Sequence, residues 1–288
     1  MNDDGSTLTY VYAAAYLTDA LRETFTDLRG VYGATVHPLT ESPTTAPDAS
    51  HPPLAFVAGH VPADDFNEHD LKIHFEDLQW LEDVARAHHD VVQALATHAT
   101  VLPLRMATVY QDDDRARQAL RRQHTPFTER LAQLDAHTEF GVKIYLAPLA
   151  DQPEEGHAAD EQAAVRTTTP GKAYLQRRKA QHHAVEARYG QAQQAAAALE
   201  AIASHYATHR VSHPVQSGAL NGPAENVLND AYLVPVQDAQ HFKTAVEEAA
   251  HTFDGIHVEV TGPWAPYSFA MPPSETGGHA ASGQDQRP

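Results

Sequence analysis

Two hydrophobic periods alternate along the chain, and their order constrains its fold more than any other feature. Apolar residues recur every three or four positions across 68–98, which predicts one long amphipathic helix. Its buried face is expected to comprise Leu71, Phe75, Leu78, Leu81, Val84, His88, Val91 and Leu95. Short or alternating apolar segments around it predict a helix at 19–28 and strands at 8–14, 34–39, 54–61 and 101–110. The resulting order, β-α-β-β-α-β, is typical of a ferredoxin-like domain.

The same order recurs in the second half of the chain, without a visible sequence repeat. Strands are predicted at 140–148, 211–220, 226–236 and 256–261, helices at 171–209 and 238–252, and a tight turn at Asn221-Gly222. An arginine-rich helical segment separates the two halves, and the last residues lack periodicity. The expected fold class is therefore α+β, with ferredoxin-like domains at 1–110 and 136–273, a helical connector at 111–135 and a disordered C-terminal tail at 274–288.

Composition excludes several classes of protein. The chain contains no cysteine, so it cannot hold disulfides, thiolate zinc sites or a cysteine nucleophile. Its 38 acidic and 20 basic residues give a formal charge of −18, which would repel a nucleic-acid backbone. No apolar run approaches the roughly 18 residues that a membrane span requires, and the first residues are acidic where a secretory signal would be basic. We therefore expect a cytoplasmic protein with no nucleic-acid partner and no membrane span.

Several short motifs are spread over most of the chain. The most specific is Thr-Gly-Pro-Trp-Ala-Pro-Tyr-Ser-Phe at 261–269, which follows Asn-Asp-Ala-Tyr-Leu-Val at 229–234. The others are Pro-Leu-Arg-Met-Ala-Thr at 103–108, Gly-Val-Lys at 141–143, Gly-Lys-Ala-Tyr-Leu at 171–175 and Tyr-Val-Tyr at 10–12. Together these motifs resemble those of the gas vesicle protein GvpL/GvpF family. Met106, Ala107 and Ala265 depart from the family's Pro-Leu-Arg-Phe-Gly-Thr pattern and from its second C-terminal proline.

This resemblance implies a function that periodicity alone does not indicate. It implies a non-enzymatic accessory or minor structural protein that assists the nucleation and assembly of gas vesicles and needs no cofactor. It also implies that the protein binds the hydrophobic gas vesicle shell protein GvpA, prevents its aggregation and contacts other gas vesicle accessory proteins. The expected location is the cytoplasm and the gas vesicle.

Three aromatic residues near the C-terminus are candidates for binding that partner. Trp264, Tyr267 and Phe269 follow the last predicted strand in a proline-bounded segment, which could present rigid aromatic side chains. The alternative is that they fold back into the core of the second domain, because an exposed aromatic cluster without a partner favours aggregation.

Arg105 is the fourth candidate for partner binding. It lies in a predicted apolar strand, where a charge is costly unless it is paired. The alternative is an outward-facing strand residue or a structural ion pair with Glu76 or Glu82.

The histidines supply the ligand types of a metal site without its usual spacing. His88-His89 and His182-His183 are sequence neighbours, which point in different directions on a helix. The sequence also has no His-Glu-x-x-His segment, phosphate loop or nucleophile elbow. We therefore expect neither a metal site nor a catalytic site. A small-ligand-binding protein or an enzyme on paired ferredoxin-like domains is the alternative, because that fold hosts many activities.

Overall fold

The computed structural model describes residues 6–41, 52–146, 170–215, 225–253 and 255–270. The predicted turn at Asn221-Gly222 and the predicted tail at 274–288 lie outside these residues. The chain divides into two units, one comprising Met1–Asp135 with Ala265–Pro288 and the other Ala136–Trp264. Among the described residues, no helix combines the length and the apolar character that crossing a membrane requires.

The first unit is an antiparallel sheet with helices on both faces. Its strands are β1 (Thr7–Tyr16), β2 (His37–Thr40), β3 (Leu54–Pro62), β4 (Val101–Pro103) and β5 (Val109–Tyr110). They pair in the order β2-β3-β1-β4, and β5 also pairs with β1. Its helices before the second unit are α1 (Asp19–Thr24), α2 (Ala63–Phe66), α3 (Glu68–His74), α4 (Leu78–Ala96), α5 (Asp113–Arg122) and α6 (His124–Leu134).

The central strand β1 is buried on both of its faces across residues 10–15. On one face, Tyr10 belongs to a core that includes Val91 of α4. On the opposite face of the sheet, the ring of Phe56 in β3 lies 5.7 Å from that of Phe127 in α6. Helices therefore cover both faces, and the sheet has no broad solvent-facing side.

The helices α5 and α6 occupy the segment predicted as a connector. They pack on β2, β3 and β4 through side chains that recur at helical spacing: Ala116, Ala119, Leu120, Phe127, Leu131 and Leu134. The arginines are the most conspicuous residues of this segment in the sequence, but its small and apolar residues form the packed face. The first unit accordingly extends to Asp135 instead of ending at 110.

The helix expected over 68–98 is two helices, α3 and α4. The Asp77 carboxylate accepts hydrogen bonds from the backbone N–H groups of Gln79 at 3.0 Å and Trp80 at 3.3 Å. A side chain that caps these otherwise unpaired donors favours the start of a new helix. The apolar period continues through this position, which is why it does not reveal the break.

The strand expected over 101–110 is also interrupted, between β4 and β5. Ala107, in this interruption, has a φ of 60°, a left-handed conformation that is strained for any residue with a Cβ. Its backbone N–H donates a hydrogen bond to the Tyr10 hydroxyl at 3.0 Å. This contact holds the chain in the strained conformation.

The second unit is a four-stranded antiparallel sheet packed against two long helices. Its strands are β6 (His137–Leu146), β7 (His209–Ser212), β8 (Glu225–Pro235) and β9 (Ile256–Trp264), in the order β7-β8-β6-β9. Its helices are α7 (Pro170–Tyr206) and α8 (Ala239–Ala250). Phe140, Leu199, Tyr232 and Phe242 lie in the core between sheet and helices. The predicted mixture of helices with two antiparallel sheets is confirmed.

A partly buried ion pair attaches the short edge strand β7 to β8. The buried Asp230 carboxylate accepts a hydrogen bond from Arg210 Nε at 2.9 Å, and Arg210 Nη2 lies 2.8 Å from the same oxygen. Glu200 of α7 also pairs with Arg210, and the Tyr232 hydroxyl lies 3.4 Å from Asp230. The Asn-Asp-Ala-Tyr motif therefore contains residues that hold the sheet edge in place.

His88 of α4 is a neutral histidine in the core of the first unit. It is 3% exposed, and its Nδ1 is hydrogen-bonded to the Tyr10 hydroxyl at 2.9 Å. The rings of Tyr12 and Tyr267 lie 5.5 Å and 6.3 Å from its own ring. Burial lowers the pKa of His88 to about 4, although the nearby backbone of Leu104 acts in the opposite direction.

We expect Ala107→Gly to stabilise the protein. A left-handed alanine costs about 1–2 kcal/mol, and the greater chain entropy of glycine offsets about 0.5–1 kcal/mol of the relief. The free energy of unfolding, measured with urea, should therefore rise by up to about 1.5 kcal/mol. Ala85→Gly, at an exposed position within α4, is the matched control and should lower it by about 1 kcal/mol. Equal destabilisation by both variants would contradict the strain at Ala107.

We expect His88 to make the folded state less stable in acid. Because its folded pKa of about 4 lies below the ordinary value of 6.5, only the unfolded chain takes up this proton as pH falls from 7 to 4. The loss in free energy of unfolding should reach about 3 kcal/mol. In His88→Gln, the fall across this range should be smaller by about that amount. The exposed His98→Gln is the control, and an unchanged pH profile of His88→Gln would contradict the interpretation.

Candidate partner-binding surface

Large apolar side chains are exposed where α3 meets α4. Ile73 is 57% exposed, Phe75 47% and Leu78 79%, and Tyr32 of the α1–β2 connection is half exposed. Side chains of this size and exposure in one short segment are unusual for a surface without a partner. We call these four residues the α3–α4 surface.

The Trp80 side chain contacts two residues of this surface, Tyr32 and Phe75. Its Nε1 donates a hydrogen bond to the Tyr32 hydroxyl at 2.7 Å. The His74 ring stacks on the Trp80 ring, with 4.7 Å between the ring centroids. The ring centroids of Phe66 and Phe75 lie 5.5 Å and 6.3 Å from that of Trp80. These contacts form a packed aromatic layer that limits how far the exposed residues can collapse.

The helix break at Asp77 accounts for the exposure of this surface. The apolar period predicts Phe75 and Leu78 on the buried face of one helix, whereas the structure shows both exposed. Leu71 and Leu81, at the flanking positions of the same period, pack against the core as predicted. Asp77 directly precedes Leu-Gln-Trp, and aspartate is a preferred residue at the N-cap of a helix. This capping signal could have indicated the break.

Backbone strain also occurs within this surface. Tyr32 has a φ of 57°, which is rare for a bulky residue. Its hydroxyl accepts the hydrogen bond from Trp80, and its ring lies 5.8 Å from that of Phe66. These contacts hold Tyr32 in a costly conformation in which its side chain remains half exposed.

Acidic residues surround these apolar side chains. The segment 63–83 contains eight aspartates and glutamates and one lysine. Lys72 pairs with Glu68 at 3.0 Å, and His74 lies 3.6 Å from Asp65. The surface therefore combines an apolar centre with a negatively charged rim, which suits a partner with apolar and basic side chains.

Two of the predicted site residues pack on the first unit. The C-terminal segment of the described chain begins at Ala265, whose N–H donates to the Gln93 side chain at 3.1 Å, and ends in α9 (Tyr267–Ala270). The Tyr267 ring stacks on His89 at 6.0 Å, and Phe269 is buried. The alternative that this segment fills the core of the second domain differs from the structure in location, because the chain returns to the first unit after Trp264.

The other two predicted site residues are exposed. Trp264 ends β9 of the second unit and is 39% exposed, and its carbonyl accepts a hydrogen bond from Thr138. Arg105 lies in the interruption between β4 and β5, with an exposed side chain. Glu82 pairs with Arg86 instead of with Arg105. The four predicted residues are therefore distributed over both units.

The histidines considered in the sequence form no common metal site among the described residues. His88 is in the core, whereas His182 and His183 each lie 3.3 Å from Glu186 on the surface of α7. The group that the geometry does bring together is His37, His60 and Asp113. Sequence spacing did not indicate it, because its members lie on two strands and a helix.

A protein family and individual known proteins match most of the chain. The model of the family described as "Gas vesicle synthesis protein GvpL/GvpF" matches residues 8–271. Gas vesicle protein L of Streptomyces sp. (strain CB03234) is 44% identical over 224 residues, which are 76% of this chain and 81% of that protein. Gas vesicle protein F of the same strain is 27% identical over 201 residues, which are 67% of this chain and 80% of that protein.

Solved structures agree in fold. The crystal structure of GvpF from Anabaena sp. PCC7120 has a TM-score of 0.59 at 16% identity, covering 92% of this chain and 97% of that one. The crystal structure of GvpF from Microcystis aeruginosa has a TM-score of 0.58 at 18% identity, covering 92% of this chain and 99% of that one. With the family model matching nearly the whole described chain, the protein belongs to the gas vesicle GvpL/GvpF family.

Proposed function

We propose that the protein binds the hydrophobic shell protein GvpA through the α3–α4 surface and keeps it from aggregating while gas vesicles nucleate and assemble. Membership of the GvpL/GvpF family supports a role in gas vesicle formation. The single observation that supports direct binding is the exposure of Ile73, Phe75 and Leu78 above a packed aromatic layer. In this proposal the protein is an accessory or minor structural component, without enzymatic activity.

The apolar side chains would supply much of the affinity. Burying one Leu, Ile or Phe side chain completely contributes about 1.5–3 kcal/mol. Three such side chains that are half to largely exposed provide a substantial part of the about 8 kcal/mol that a micromolar complex requires. An affinity of this order permits release, which a protein that holds a subunit before assembly needs.

The acidic rim would determine which apolar partner is chosen. Charges around an apolar centre accelerate association with a partner of opposite charge and disfavour partners of like charge. Because most rim residues are exposed, added salt should slow association while leaving the apolar contact in place. The same charge would reduce self-association of the protein through this surface.

We propose further that both units are variants of the ferredoxin-like fold and that the protein acts in the cytoplasm, on forming gas vesicles and alongside other accessory proteins. The strand orders β2-β3-β1-β4 and β7-β8-β6-β9 support the fold assignment. Arg105 and Trp264 are secondary candidates for partner contact, because both are exposed. Tyr267 and Phe269 would contribute indirectly, by stabilising the first unit on which the α3–α4 surface lies.

We expect the double variant Phe75→Ser, Leu78→Ser to retain less than about a tenth of the GvpA that co-purifies with the wild type from co-expressing cells. A tenfold loss corresponds to about 1.4 kcal/mol, a modest share of the burial energy of two large side chains. The thermal unfolding midpoint should change little, because both side chains are exposed.

Leu175→Ser provides the matched control, because Leu175 is an exposed leucine of α7 in the second unit. This control should co-purify GvpA at the wild-type level. Unchanged co-purification of the double variant would exclude the α3–α4 surface as the binding site. If the wild type itself retains no GvpA at low or high salt, direct binding of the shell protein is wrong.

We expect Phe269→Ala mainly to lower the folding stability of the protein. Truncating a buried phenylalanine costs about 3–5 kcal/mol of folding free energy, so the unfolding midpoint should fall clearly. Trp264→Ala should lower this midpoint less than Phe269→Ala does, since the Trp264 side chain is 39% exposed. Calorimetry of both variants, beside GvpA co-purification, distinguishes a packing residue from a contact residue. A Phe269→Ala protein of wild-type stability would contradict the packing role.

A further inference from the structure

Two histidines and a carboxylate meet on the face of the first sheet that is opposite α4. β2 and β3 pair with His37 opposite Ala58, so His60, two residues further along β3, projects from the same face. The neighbouring Val61 belongs to the core on the α4 side, which places His60 on the other side. Asp113 is the first residue of α5, which packs on β2 and β3.

The distances in this triad approach those of a metal site. His60 Nε2 lies 3.1 Å from Asp113 Oδ1, and His37 Nε2 lies 3.9 Å from Asp113 Oδ2. One ligand atom of each residue lies within 4.8 Å of the others. Ligand atoms around a tetrahedral zinc ion are about 3.3–3.5 Å apart. The longest of the three separations between ligand atoms must therefore contract by about 1–1.5 Å. The side chain of His60 is half exposed, which leaves room for this rotation once its hydrogen bond to Asp113 is replaced by the metal.

We propose that His37, His60 and Asp113 bind a divalent transition-metal ion, with zinc as the expected ion. Two imidazoles and one carboxylate suit zinc, and such a site keeps a fourth position for water. This site lies on the α5 face of the sheet and does not depend on the proposed binding of GvpA. The spacing of the histidines in the sequence predicts no metal site, so this one arises only from the tertiary structure.

Neighbouring groups already orient two of the three ligands. Thr9 is buried, lies directly opposite His60 on β1, and donates its hydroxyl to Asp113 Oδ1 at 2.8 Å. The His37 ring is hydrogen-bonded to the backbone of Thr35. Hydrogen bonds of this kind fix the ring orientation and the tautomer of ligands in metal sites.

The positively charged side chain of Arg117 lies beside the proposed metal site. Its Nη2 lies 3.7 Å from Asp113 Oδ2, and its Nη1 lies 2.9 Å from Asp114 Oδ1. The guanidinium therefore competes for one oxygen of Asp113 and repels an incoming cation. Removing this charge should strengthen metal binding, whereas removing a ligand should weaken it.

A bound ion would cross-link β2, β3 and α5. The three ligands are far apart in the sequence, so the unfolded chain does not contain the site. Binding to the folded state alone raises the unfolding temperature, by an amount that grows with the logarithm of the ratio of metal concentration to Kd. Thermal stability is therefore a readout that needs no knowledge of the protein's activity.

The test uses the full chain with any purification tag removed, after dialysis against a chelator. Titration with ZnCl2 in a calorimeter should show one ion bound per chain, and Zn²⁺ should raise the unfolding temperature. Co²⁺, added as a spectroscopic probe, should give the visible absorption of a tetrahedral site. His60→Gln should weaken Zn²⁺ binding roughly tenfold or more and abolish the temperature rise, without changing the stability of the metal-free protein.

Two further variants test whether the binding is specific to the triad. Arg117→Gln should bind Zn²⁺ more tightly than the wild type. His182→Gln removes a surface histidine that lies beside a glutamate, and it should bind Zn²⁺ as the wild type does. Binding that falls equally in His60→Gln and His182→Gln, binding that is unchanged in His60→Gln, or no binding by the wild type would each overturn the proposal.

Discussion

The first unit is built around β1, which is buried on both faces. A strand with no solvent-facing side must find hydrogen-bond partners for its polar groups within the protein. The Tyr10 hydroxyl accepts a hydrogen bond from the Ala107 N–H and is hydrogen-bonded to His88. The Tyr12 hydroxyl accepts one from the N–H of Val31. Two hydroxyls of one strand thus connect it to the interruption between β4 and β5, to α4 and to the connection before β2. The strained Ala107 and the neutral His88 are consequences of this arrangement.

The position of α4 on β1 separates two surfaces of the first unit. The beginning of α4, together with α3, leaves apolar side chains exposed above Trp80, where the acidic rim would select a partner. The opposite face of the sheet carries His37 and His60 beside Asp113, under α5. A partner-binding surface and a metal site can therefore exist in one small unit without sharing residues, since the buried sheet lies between helices on both sides.

The motifs that identify the family mostly maintain the fold. Asp230 fixes the edge strand β7 through Arg210, and Phe269 is buried in the first unit. Ala107 stands in a left-handed position where glycine would be unstrained. The apolar residues of the α3–α4 surface have no special backbone requirement and resemble core residues, which is why they were assigned to the buried face.

The sequence by itself determined the alternation of strands and helices, the two antiparallel sheets and membership of the family, because periodicity and short motifs are local properties. Tertiary structure decided what covers each element. The pattern across 113–134 could not reveal that its apolar face packs on a sheet, nor could the motif at 261–269 reveal that Ala265 begins a return to the first unit. The proximity of His37, His60 and Asp113 depends on strand register and on where α5 packs. These are contacts between distant parts of the chain, and their free energy arises only when the chain folds.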